Sequence, residues 1–154
     1  MRAYADSSFT LRLVTGEANS PRTIAEYRRL GSPKLFFVPL HALEVRNAIL
    51  QRAFHKRRSI GERQYVARER DIALARLEHL VARRALLDVT LDMDAAITRA
   101  TDLSTLHTER LEARAIDLLH VAGALTLESE LFLTMDARQA QLAKAEGLKV
   151  ASVS

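Results

Sequence analysis

Four acids punctuate the chain at equivalent places. Asp6 directly follows the apolar run Arg2-Ala3-Tyr4-Ala5. Glu44 falls in the first turn or two of the helical segment after Leu35-Phe36-Phe37-Val38. Asp136 comes two residues after Thr134, which closes the run Leu131-Phe132-Leu133-Thr134. Asp117 sits near the start of an apolar helix and is flanked by Ala115, Ile116, Leu118 and Leu119, where an unpaired charge is costly. Each acid has a modest role open to it. Asp6 and Asp136 can cap helices, Glu44 can favour the positive end of a helix dipole, and Asp117 can pair with Arg114 three residues earlier. Those roles explain the acids singly but not their convergence. Two carboxylates about 5 Å apart repel by roughly 3 kcal/mol at an effective dielectric of about 20. Four together need either pKa values raised above about 3.9–4.3 or a cation. The chain has no cysteine, so an all-oxygen set suits a hard cation, Mg²⁺ or Mn²⁺. A hard cation among carboxylates is the chemistry of metal-assisted phosphodiester hydrolysis.

The elements that must hold these acids follow from periodicity and punctuation. Short apolar runs at Arg2–Ala5, Leu35–Val38, Leu86–Val89, Leu131–Thr134 and Lys149–Ala151 read as strands. Helical patterns fill the intervals: Ser7–Thr15, Pro21–Leu30 with Ser20 as its N-cap, Leu40–Arg84, Asp92–His107, Arg114–Leu127 and Ala137–Glu146. The long one is expected to break near Ser59-Ile60-Gly61. Alternating strands and helices predict an α/β fold, a parallel sheet of four to five strands flanked by helices on both faces. In such a sheet ligands bind outside the carboxyl ends of the strands, the edge on which Asp6, Glu44 and Asp136 are expected.

At 154 residues the chain is expected to form a single domain, 1–154. Its 48% hydrophobic content supports a core, and no apolar run approaches the roughly 20 residues of a membrane span. The start is not that of a signal peptide, so a cytoplasmic address is expected. Aromatics are scarce, which argues against a base-stacking platform. The formal charge is +4, but His41–Arg84 alone holds eleven Lys or Arg against five Asp or Glu. That segment reads either as a solvated helical face or as a surface for a polyanion, with Arg57 and Arg58 as candidate contacts to it. Arg138 and Gln139 follow the last acid and are placed to touch a substrate phosphate or to form helix surface. His120, one helical step from Asp117, is a candidate neighbour of the acids, with a structural role the simpler reading. His41 and His107 lack metal-ligand spacing.

Tyr4-Ala5-Asp6-Ser7-Ser8, Leu43-Glu44-Val45-Arg46-Asn47-Ala48, Arg114-Ala115-Ile116-Asp117-Leu118-Leu119-His120-Val121-Ala122 and Phe132-Leu133-Thr134-Met135-Asp136-Ala137-Arg138-Gln139 together resemble the PIN-domain family. The branch most similar is that of the VapC-like toxins of bacterial toxin–antitoxin pairs. The resemblance runs from Arg2 to about Val150. It implies a PIN-like three-layer α/β/α fold and a Mg²⁺- or Mn²⁺-dependent endoribonuclease. It also implies that Asp6, Glu44, Asp117 and Asp136 are catalytic and metal-binding residues, with Ser8 and Thr134 positioning water. A homodimer, an RNA substrate and an inhibiting small antitoxin follow from the same resemblance. The arginine-rich region Leu40–Arg84 is longer than in compact members. Other carboxylate-bearing α/β folds fit less well: no Lys follows the fourth strand as in a receiver domain, and Asp6 is followed by Ser7-Ser8 rather than by a second Asp. No Gly-rich phosphate loop is present. The alternative of a different class is a catalytically idle PIN-like module that binds RNA or a protein.

Overall fold

The computed structural model describes residues 1–60 and 62–152. Strand β1 (Ala3–Ala5) leads into α1 (Ser7–Val14) and α2 (Ser20–Arg29). Strand β2 (Leu35–Phe37) is followed by α3 (Pro39–Ile60) and α4 (Arg63–Ala82), and β3 (Leu86–Asp88) by α5 (Met93–Leu111) and α6 (Ala115–Thr126). Strand β4 (Leu131–Thr134), α7 (Ala137–Ala145) and β5 (Lys149–Ser152) complete the order. The five strands form one parallel sheet in the order β3-β2-β1-β4-β5.

Alternation along the strands divides the core. Ala3, Ala5, Leu35, Phe37, Leu131 and Leu133 face a cluster with Phe9, Val45, Ile49 and Leu77, so α1, α3 and α4 cover that face. Tyr4 and Phe132 point the other way, onto Leu103, Leu118, Val121 and Leu142 of α5, α6 and α7. Tyr4 and Phe132 stack across the β1–β4 pair with ring centroids 5.8 Å apart. The result is the three-layer α/β/α arrangement with an all-parallel sheet that the sequence leads one to expect. Among the described residues no helix is long and apolar enough to cross a membrane.

The long basic helix breaks as expected, after Ile60; Gly61 itself lies outside the described residues. Two expectations are corrected. Ser20 is the first helical residue and not the cap: Asn19 occupies the cap position, while the Ser20 hydroxyl accepts from the Glu17 amide at 3.1 Å. Helix α5 runs past His107 to Leu111, because it stops only where Glu112 turns left-handed at φ 51°.

The chain winds outward from β1 in both directions, to β2 and β3 on one side and to β4 and β5 on the other. The switch point therefore lies between β1 and β4. Asp6 follows β1 and Asp136 follows β4, so the two acids flank it.

Candidate active site

Asp6 is fixed by the ladder before its side chain makes any contact. Its amide donates to the Leu133 carbonyl at 2.9 Å, extending the β1–β4 pairing by one residue. The side chain is 4% exposed and caps α1, accepting from the Phe9 amide at 2.7 Å. The Ser8 hydroxyl reaches both carboxylate oxygens, at 2.8 and 2.9 Å. The Thr134 hydroxyl lies 2.7 Å from Oδ2 of Asp6 and 2.9 Å from Oε1 of Gln139, so its single proton serves one of the two. It also accepts from the Asp136 amide at 2.9 Å. Burial pushes the Asp6 carboxyl above its ordinary range, against the pull of Thr134, Phe9, His120 and Ser8.

Asp136 caps α7, accepting from the amides of Arg138 and Gln139 at 2.7 and 3.1 Å. Asp117, buried in the first turn of α6, is held by Arg114, whose Nε and Nη2 reach its two oxygens at 2.8 and 3.2 Å. Arg114 Nη2 is also 3.7 Å from Asp136. The chain's own guanidinium thus stands between two of the four acids. Gln139 is buried, and its amide group contacts Thr134 and the Asp117 carbonyl. It belongs to the scaffold under the acids, which corrects both readings of it, as a phosphate contact and as helix surface. Arg138 is exposed and 3.4 Å from Glu112.

Glu44, in the second turn of α3, is joined to the rest through residues on three other elements. Its Oε2 accepts from the Ser7 hydroxyl at 2.6 Å and lies 2.7 Å from His120 Nε2. His120 Nδ1 is 3.0 Å from the Tyr4 hydroxyl. Burial alone would raise the Glu44 carboxyl, but His120 and the Ser7 hydroxyl bring it below its usual value. The expectation that crowding raises every one of the four acids is therefore corrected at Glu44, where hydrogen-bond donors outweigh burial. Sequence reading also left His120 with a structural role as the simpler choice; it stands in contact with the candidate site. Its partners Tyr4 and Glu44 lie 116 and 76 residues away in the chain, beyond the reach of any spacing rule.

His41 is buried beside this group. Its Nδ1 accepts from the Val38 amide at 3.1 Å, so Nε2 carries the proton and donates to the Ala5 carbonyl at 2.8 Å. Burial first, and the neighbouring His120 second, push its pKa down to about 3. His107 lies 2.6 Å from Glu146 and ties α5 to the end of α7.

The donors are carboxylates and hydroxyls, a set that fits a hard cation. Among the described residues no three of His, Asp and Glu are grouped closely enough to ligate one ion together. Mg²⁺ commonly keeps several waters and binds through one or two carboxylates, so these residues fit a water-rich site and not a closed cage. Arg57 and Arg58 are exposed at the far end of α3, and Arg58 lies over the Phe54 ring at 5.7 Å. Thirteen residues of helix put Arg57 about 20 Å from Glu44. A separate cavity of about 220 Å³ opens between Val14, Ile49, Arg52, Val66 and Arg76, and none of the four acids lines it.

No family model matches the chain, and no curated protein matches it.

Proposed function

We propose that the protein is a metal-dependent endoribonuclease of the PIN-like kind, acting as the toxin of a toxin–antitoxin pair. One observation carries the reading. Asp6 and Asp136 flank the β1–β4 switch point and are joined through Thr134, while Glu44 and Asp117 border the same edge, with Ser7, Ser8 and Thr134 as further oxygen donors. Asp6, Glu44, Asp117 and Asp136 would hold Mg²⁺ or Mn²⁺ together with waters, and not as a closed cage of four direct ligands. When bound, such an ion supplies hydroxide and charge stabilisation for an in-line attack on a phosphodiester. The chain's own contribution is to hold Asp6 rigid through Ser8 and Thr134, to turn Glu44 through Ser7 and His120, and to place Arg114 beside Asp117 and Asp136. The resemblance to VapC-like toxins supplies the RNA substrate, the homodimer and the small antitoxin. The basic surface of α3 and α4 agrees with a polyanionic substrate.

The competing reading, an idle PIN-like module that binds RNA or a protein, is favoured by Arg114. A resident cation on Asp117 neutralises the charge that a metal would otherwise be needed for.

Purified protein incubated with single-stranded RNA in EDTA, Mg²⁺ and Mn²⁺ separates the two. Cleavage is expected only with metal, leaving 5′-phosphate and 3′-hydroxyl ends, with a loss of at least about 100-fold in Asp6→Asn. Growth arrest is expected on expression of the parent and not of that variant. RNA binding without cleavage in any metal would establish the idle module, and cleavage persisting in EDTA would refute the metal mechanism.

A further inference from the structure

Glu44 has two carboxylate oxygens in unequal surroundings. Both the Ser7 hydroxyl and His120 Nε2 reach Oε2, at 2.6 and 2.7 Å. Among the described residues no hydrogen bond reaches Oε1. A carboxylate only accepts, so Nε2 of His120 must carry a proton. Tyr4 is wholly buried, and its hydroxyl lies 3.0 Å from Nδ1 on the other side of the ring. His120 thus presents Nε2–H to Glu44 and Nδ1 to the Tyr4 hydroxyl. Tyr4 is itself pinned in the centre of β1 by stacking on Phe132 and by a close approach to α6. A Cβ at Gly123 would stand 3.2 Å from the Tyr4 hydroxyl, so a side chain at that position would press on the hydroxyl. Two elements, α1 and α6, thus meet the Glu44 oxygen presented by α3, and β1 backs the imidazole from behind.

We propose that Ser7 and the Tyr4–His120 pair are positioning residues that hold Glu44 through Oε2 and leave Oε1 as the oxygen available to a divalent cation. This rests on the metal-dependent reading above. Outer hydrogen bonds of this kind set a ligating carboxylate's orientation, and their loss typically costs about 10–100-fold in metal affinity.

The test measures Mn²⁺ binding directly, by loss of the free-ion paramagnetic resonance signal, with thermal melts confirming that each variant is folded. Ser7→Ala and His120→Ala are each expected to weaken Mn²⁺ by about tenfold or more. His120→Gln, which keeps a donor near Nε2, is expected to recover most of that loss. Glu44→Gln tests the metal reading separately. Weakened binding in Glu44→Gln with parent-like binding in both Ser7→Ala and His120→Ala would overturn the positioning role and leave the metal reading standing. No Mn²⁺ binding by the parent would overturn both. A metal-free arm reads the imidazole itself by ¹⁵N resonance: Nε2 of His120 is expected to carry a proton in the parent. An Nε2 without a proton would remove the donor to Glu44, and the proposal with it. Ser7→Ala and the ¹⁵N measurement keep the test decisive even where His120→Ala does not fold.

Discussion

At Asp117 two electrostatic effects compete, and the geometry decides between them. Repulsion among four acids alone would make Asp117→Asn stabilising by very roughly 1–3 kcal/mol. Arg114 changes the sign, because its guanidinium grips both Asp117 oxygens and Asn would accept only one of those bonds. Arg114 is 63% exposed, so water screens the pair and the expected loss in Asp117→Asn is only about 0.2–1 kcal/mol. The same pair makes a sharper prediction in the opposite variant. Arg114→Ala leaves Asp117 and Asp136 without their cation, so Mg²⁺ should raise the melting temperature of Arg114→Ala more than that of the parent, by mass action on the folded state. Melts of both proteins in EDTA and in millimolar Mg²⁺ check this. An equal shift in the two would show that these acids take no part in holding the ion. The Arg114–Asp117 contact was legible beforehand, since residues three apart share a helix face. The roles of Ser7 and His120 toward Glu44 were not, since sequence spacing carries no information about contacts between separate elements.

Individual elements were read well wherever the chain carries its own punctuation. Pro33 and Pro39 bracket β2, and Gly147 at φ 83° closes the turn after α7. The end of α5 had no such mark, because Glu112 adopts a left-handed conformation that glycine or asparagine more often fills. The weakest reading concerned the arginines of α3 and α4, whose composition alone does not separate a solvated face from a binding face. Structure narrows this. Arg46, Arg52 and Lys56 are engaged with Glu78, Glu17 and Glu69, whereas Arg57 and Arg58 are exposed and have no ion-pair partner among the described residues. They also end α3, where cations favour the negative pole of the helix dipole. The double reversal Arg57→Glu, Arg58→Glu should therefore cost about 1 kcal/mol of stability. Its larger expected effect is on RNA. If both arginines meet phosphates, the slope of log affinity against log salt should flatten by about 1.4, at roughly 0.7 per contact for a single strand. Cleavage at saturating RNA should survive. Filter binding across a salt series checks it, and an unchanged slope returns the pair to the solvent.

Strand order is a property of the whole molecule that three- and four-residue apolar strands do not encode locally. Only their parallel sense and burial on both faces follow from alternation with helices. The order β3-β2-β1-β4-β5 brings Asp6 beside Thr134, and it brings His41, just after β2, under the Ala5 carbonyl of β1. Global stability should register these buried groups through pH. His41 has a folded-state pKa of about 3, far below its ordinary value near 6.5. Over that interval the unfolded chain binds the extra proton, so His41 withdraws stability as pH falls from about 6.5 towards about 3. Glu44 acts in the same sense: its lowered pKa stabilises above about 4.3 and is lost as pH falls through the folded value. Asp6 opposes both. Its raised pKa means that stability present below about 3.9 is lost as pH rises through the folded value. Between pH 6.5 and 4 His41 should therefore draw stability from the metal-free parent, with Asp6 acting against it. His41→Gln cannot take up the proton. It should be less stable than the parent at pH 7, because two buried hydrogen bonds are disturbed, yet its stability should vary distinctly less over the same interval. Asp6→Asn should steepen the curve by removing the opposing contribution. Urea unfolding of the three proteins in EDTA from pH 4 to 7.5 checks all three signs. A His41→Gln curve parallel to the parent's would show that His41 charges freely in the folded state, against the burial that holds it neutral here.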